Sequence, residues 1–274
     1  MKILLTSAVS ILLFFSCQNR IKKNSEIIVL GTVHFPTKQV NADSIYDILV
    51  KVQPDIIVME ADSSVFNSDF TFKTTYDENE YNAVVEYLKL NPNVMVRPMG
   101  FEGRNAYRKK IGIYSEAGFV YGAMYDLLDA GKLSKKHEAM LNHYEFLWAE
   151  QEKYKDKSLK HINQSKVDRL IDSVNAYQYV KTKDIVDSRD EFYYKILGAD
   201  KDSVTLKSYF KKWIYFEGIQ RNEALANNLL NIIKQNPNKR IIALTGFKHR
   251  SYILNKLKKK QNSLNIELKE FYNI

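Results

Sequence analysis

Near its start the chain reads Ile27-Ile28-Val29-Leu30-Gly31-Thr32-Val33-His34, and near its end Ile241-Ile242-Ala243-Leu244-Thr245-Gly246-Phe247-Lys248-His249. Each stretch is an unbroken apolar run, rich in β-branched residues, that reaches a glycine and then a histidine three residues later. A run without polar alternation suits a strand buried on both faces, and such strands belong to parallel sheets covered by helices. Asp55-Ile56-Ile57-Val58-Met59-Glu60 and Val94-Met95-Val96-Arg97 read the same way.

Helical signals fill the gaps between these runs. Asp43 is placed to cap a helix whose apolar face is Ile45, Ile48, Leu49 and Val52, with Pro54 as its stop. A second helical pattern spans 78–90, and a third spans 221–233, with Leu225, Leu229, Ile232 and Ile233 on one side. A last helix is expected over 251–259 and an edge strand over 264–268. This alternation predicts an α/β fold with a mostly parallel sheet flanked by helices and right-handed crossovers. Strand signals stop over 103–216. That block reads as a large helical insertion between the third and fourth core strands, packed by aromatics such as Tyr114, Phe119 and Tyr121. No fixed-period repeat and no Pro/Gly/Ser-rich linker sets it apart, so 26–274 is expected to form one α/β domain.

The first residues read differently. Lys2 precedes an uncharged, largely apolar run over 3–15, shorter than the roughly 20 residues a membrane-spanning helix needs. It ends in Phe14-Phe15-Ser16-Cys17, which resembles a bacterial lipobox with Phe14 where Leu is commoner. The reading is a signal peptide over 1–16 and a polar tether over 17–25. Cys17 is the lipidated residue, which makes the chain an exported lipoprotein anchored in the bilayer of a bacterial cell envelope. Cys17 is also the chain's one cysteine, so neither an internal disulfide nor a cysteine nucleophile elsewhere is available.

Composition narrows the partners. The chain has 274 residues, 41 Lys and Arg against 32 Asp and Glu, and a formal net charge of +9. A basic excess raises nucleic acid as a partner, but the lysine-rich stretch 256–260 lacks interleaved aromatics and reads as a solvated helix face. There is no Gly-x-Ser-x-Gly elbow, Walker loop, Gly-x-Gly-x-x-Gly or His-Glu-x-x-His. Serine hydrolases of that kind, P-loop and dinucleotide enzymes and helix-borne zinc proteases are thereby disfavoured.

The chemistry points to the ends of the strands. Ligands of open α/β sheets bind outside the carboxyl ends of the strands. His34 and His249 fall at that edge if their strands are parallel neighbours, and Glu60 ends the second strand beside them. Gly31 and Gly246 would let the backbone turn or approach closely. Two imidazoles and a carboxylate can supply a general base, or hold a divalent ion with an open position. Arg221, at the start of a helix, is placed to orient Glu60 or an acidic substrate group, or else to pair with Glu217 on the surface. Glu102 and Arg104, after the third strand, are secondary candidates that read first as solvated loop charges. His137, His143 and His161 read as surface residues of the helical block.

At these residues the chain resembles the TraB/GumN/Tiki group, which is related in fold to erythromycin esterase and to ChaN-like haem-binding lipoproteins. The matching segments are 28–34, 54–60, 221–223 and 241–249, so the two flanks match and the helical middle does not. The resemblance implies an α/β core with a helical insertion and one pocket lined by His34, Glu60, Arg221 and His249. It implies hydrolysis of a peptide bond with manganese, cobalt or zinc held by His34, Glu60 and His249, or of an ester with a histidine base and no metal. The alternative it carries is a non-catalytic lipoprotein that binds haem, a metal or a protein partner. Phe247 and Lys248, both bulky, sit inside the second Gly-x-x-His and depart from a simple match.

Overall fold

The structure, a computed structural model, describes residues 24–114, 116–197 and 203–274. The expected signal peptide, Cys17 and most of the tether lie outside the described residues. The strands are β1 (Ser25–Thr32), β2 (Ile56–Met59), β3 (Met95–Pro98), β4 (Lys195–Leu197), β5 (Ser203–Thr205), β6 (Arg240–Gly246) and β7 (Ile266–Lys269). The helices are α1 (Ala42–Val52), α2 (Asn79–Leu90), α3 (Arg104–Lys110), α4 (Gly118–Asp129), α5 (Lys135–Glu152), α6 (Leu159–Ile162), α7 (Ser165–Ala176), α8 (Lys183–Asp187), α9 (Leu206–Trp213), α10 (Arg221–Gln235) and α11 (Phe247–Leu264).

Five strands form one parallel sheet in the order β3-β2-β6-β1-β7. The fold is therefore the α/β class that the apolar runs predict. The two Gly-x-x-His strands are direct neighbours, with Gly31 opposite Thr245 and Thr32 opposite Gly246. Side chains alternate across the pleat. Ile28, Leu30, Ile57, Met59, Ile242 and Leu244 face a core built with α1, α2, α6 and α7. Ile27, Val29, Ile56, Val58, Ile241 and Ala243 face the other core, built with α10 and α11. Both faces are buried, which is why these strands carry no polar alternation. At about 25 cal/mol per Å² of apolar area, such burial is the main stabilising term of the fold.

The block over 103–216 is mostly helical but differs from expectation in two ways. It contains an antiparallel hairpin, with β4 paired to β5. It also lies partly on the sheet, because Leu159, Ile162, Val167 and Ile171 join the first core while the aromatics build a third. Asn163 explains the docking. β7 pairs with β1 only as far as Ile28, so the upper edge of β1 has no strand beside it. Asn163 takes that place, accepting from Gly31 N at 2.7 Å and donating to Gly31 O at 2.8 Å. Arg250 donates to Val29 O at 3.0 Å. A buried strand edge is thus satisfied by two side chains in place of a ladder.

Two helical segments are π-helical, Tyr177–Lys181 after α7 and Ile214–Gln220 between α9 and α10. They pack together at Gly218, where an added Cβ would lie 2.8 Å from the Tyr179 ring. Gly31 is needed for a similar reason, since a Cβ there would come within 3.0 Å of the Phe247 backbone. His137 differs from expectation too: it is buried, with Nε2 at 3.3 Å from Asp184.

Candidate active site

After β1 the chain leaves the sheet in a loop that leads to α1, whereas β6 runs straight into α11. His34 lies near the start of that loop, two residues after Thr32. His249 lies in the first turn of α11, which begins at Phe247 directly after Gly246 and not at 251 as the sequence suggested. With no residue between strand and helix, the helical turn itself aims His249 back over the sheet edge. It also separates the bulky pair: Phe247 enters the core, while Lys248 turns to the cleft.

Glu60 is the hub. Its Oε1 accepts from Arg221 Nη2 at 2.7 Å and stands 3.4 Å from His249 Nε2. Its Oε2 accepts from the Thr245 hydroxyl at 2.6 Å and from Gly246 N at 2.8 Å. Burial alone would raise its pKa, but the charges of His249, Arg221 and His34, with the Thr245 bond, hold it down to about 2. Arg221 also reaches Glu217 Oε2 at 3.0 Å. The two roles considered for Arg221 are therefore both present, and Glu217 is buried, not on the surface. Burial disfavours the guanidinium charge, yet Glu60 and Glu217 outweigh it and raise the Arg221 pKa.

The histidines differ in character. Asn222 donates its Nδ2 to the Glu217 and Gly218 carbonyls, so its Oδ1 faces His249 Nδ1 at 2.7 Å. That oxygen can only accept, so Nδ1 carries the proton and Nε2 is bare. Burial, only partly countered by Glu60, pushes the His249 pKa down to about 4. His34 Nδ1 faces Glu80 Oε1 at 2.9 Å, and the Thr32 hydroxyl bonds that same oxygen. A carboxylate also only accepts, so His34 likewise presents a bare Nε2. Burial pulls its pKa down, but the hydrogen bond and charge of Glu80, with the charge of Glu60, outweigh it and the pKa is raised. An added Cβ at Gly246 would meet His34 Nε2 at 3.0 Å and Glu60 Oε2 at 3.6 Å. The second glycine is thus the floor beneath His34.

Four predicted residues, His34, Glu60, Arg221 and His249, come together with Gly246 beneath them, while Gly31 packs instead against Phe247 and Arg250 and bonds to Asn163. Glu102 does not join them: it is exposed and accepts from Ser63 N at 3.1 Å. Arg104 does approach, 3.6 Å from Glu217 Oε1, with its buried Nε lacking a hydrogen-bond partner among the described residues. Sequence reasoning missed Glu80, Asn222 and Thr245. Glu80 had a usable signal: with Ala83, Val84 and Tyr87 it completes an i, i+3, i+4, i+7 stripe that is wholly buried in α2. Asn79 seats that helix, donating N to His34 O at 2.6 Å and Nδ2 to Val33 O at 2.8 Å.

The expected manganese, cobalt or zinc fits this arrangement poorly. Both Glu60 oxygens already accept donors, and a cation bound there would stand beside the Arg221 guanidinium. Among the described residues no group of three or more His, Cys, Asp or Glu is arranged to hold a metal ion. Among the described residues no helix is long and apolar enough to cross a membrane. No family model, curated protein or solved structure matches the chain, so the likeness to the TraB/GumN/Tiki group rests on its short motifs.

Proposed function

We propose that this chain is a hydrolase of ester or peptide carbonyls that works without a resident metal, exported and held at the cell envelope through a lipidated Cys17. The observation that carries the reading is the Glu80–His34 pair, whose free Nε2 lies over the same Gly246 that donates to Glu60. In this reading His34 Nε2 takes a proton from water as the water oxygen bonds to the carbonyl carbon. Glu80 stabilises the imidazolium that forms. Arg221, fixed between Glu60 and Glu217, faces the negative charge that develops on the carbonyl oxygen. His249, uncharged at neutral pH, accepts the second hydrogen of the water and orients it. When the tetrahedral intermediate collapses, the carbon–oxygen or carbon–nitrogen bond breaks and His34 returns its proton to the leaving group.

The test uses purified protein on a panel of small esters and peptides, before and after exhaustive dialysis against a chelator. Activity on at least one ester or peptide, unchanged by the chelator, is expected. A requirement for added manganese, cobalt or zinc overturns the metal-free reading, and an inert panel overturns the hydrolase.

A further inference from the structure

A cavity opens beside His249. Arg221, Asn222, Lys248, His249, Tyr179 and Trp213 are among the residues that enclose its volume of about 250 Å³. Glu116, Trp148, Gln178 and Trp213 also line a second cavity of about 370 Å³, so the two adjoin. The second chamber is walled by rings: Tyr121, Tyr125, Tyr144, Trp148 and Trp213 are five of its nine lining residues.

The polar tips of two of these rings are engaged by neighbouring residues of the wall. The Tyr121 hydroxyl donates to Gln178 O at 3.0 Å, and Trp213 Nε1 donates to Glu116 at 3.0 Å. What the chamber offers is ring faces and edges, which favour another aromatic ring in offset or edge-on contact. The chamber meets the catalytic edge at Trp148, whose ring carries the Lys248 ammonium 4.3 Å from its centroid.

From this continuity we infer that the chamber binds an aryl group attached to the substrate beside the carbonyl cleaved at His34. The scissile carbonyl rests on the hydrolase reading; the aryl site does not. Cavities of this size enclose small organic groups and bury most of their surface.

Gly118 provides the probe. It lines the chamber as the first residue of α4, and a Cβ there would meet nothing within 4 Å. Gly118→Phe therefore adds a ring at the chamber's lining without a backbone clash at Cβ. Trp148→Leu, on a half-buried helix face, removes one wall. Hydrolysis of methyl acetate, methyl 3-phenylpropanoate and 2-phenylethyl acetate is followed by acid release at constant pH. At least one aryl ester is expected to exceed methyl acetate in kcat/KM by about tenfold or more. Gly118→Phe should bring that ratio near unity while leaving methyl acetate turnover unchanged, and Trp148→Leu should reduce it. Equal values in the unmodified chain, or a preference that survives both variants, overturn the inference.

The chain's two tryptophans both stand in this wall, which gives a readout that needs no catalysis. Titration with 3-phenylpropanoate should change their fluorescence, and Gly118→Phe should abolish the change. Binding without turnover of any ester sustains the aryl site and removes the hydrolase reading. Failure of the fluorescence to respond overturns the aryl site.

Discussion

Replacing His34 with glutamine is expected to lower kcat by about 10²–10⁴-fold, the range a positioned general base supplies, with little change in thermal stability. The side chain is 44% exposed and supports no apolar core, so a fold defect is not expected to mimic the loss. The pH profile gives the sharper readout. The base must be unprotonated, and Glu80 holds the His34 pKa above its ordinary value of 6.5. Activity should therefore fall as pH drops through a value higher than 6.5. Glu80→Gln removes the charge but keeps the shape, so the limb should move to lower pH while kcat drops. A profile that does not move in Glu80→Gln would deny Glu80 its role. Full activity in His34→Gln would leave the hydrolase without its base.

The second large effect concerns stability. Glu60→Gln is expected to destabilise the fold by about 3 kcal/mol, because removing one partner strands the other charge in a poorly hydrated site. The corresponding fall in melting temperature is roughly 6–12 °C. Glu60 and Arg221 have side chains only 8% and 18% exposed, so solvent screens the pair weakly. The sign with pH follows from the depressed pKa. Glu60 titrates near 2 in the folded chain and near 4.3 when unfolded, so its contribution is present above about 4.3 and is lost as pH falls toward 2. His249 adds a window above this one. It is uncharged in the fold down to about 4 but protonates near 6.5 when unfolded, so stability declines as pH falls between those values. His34 opposes both: its raised pKa stabilises below about 6.5, and that contribution fades as pH rises through the folded value. Urea midpoints measured from pH 7 to pH 2 should decline in two steps. Glu60→Gln should erase the lower step, and His249→Gln the upper. A single step shared by both variants would mean that the two groups do not titrate as described.

The sheet was legible because burial on both faces leaves a mark in consecutive residues: 27–30, 56–59 and 241–245 have no polar alternation to misread. The adjacency of the two Gly-x-x-His strands was a condition in the sequence reading, and the β1–β6 register meets it. The site was only half legible for a different reason. His34, Glu60 and His249 announce themselves by following within three residues of an apolar strand, whereas Glu80 and Asn222 are set by the docking of helices and act across separations of 46 and 27 residues. Helical docking creates such roles, and only the buried stripe containing Glu80 leaves a trace in sequence. The β4–β5 hairpin was missed because its strands are three residues each, too short for a periodicity to develop.

The π-helical segment ahead of Arg221 gives the fold a sensitivity to chain length that its chemistry alone would not suggest. In a π turn each hydrogen bond spans one residue more than in an α turn, so the segment Ile214–Gln220 takes up extra chain within a continuous helix. Each residue of an α-helix advances about 100° around the axis. A residue gained or lost between Trp213 and Arg221 without a matching change between π and α turns would rotate α9 by about that angle against the guanidinium that holds Glu60. Within this stretch Gly218 and Glu217 are held by their contacts with Tyr179 and Arg221, and the residue count is held by the phase of the helix. The aromatic chamber and the carboxylate hub are phased to one another by the count of residues between them.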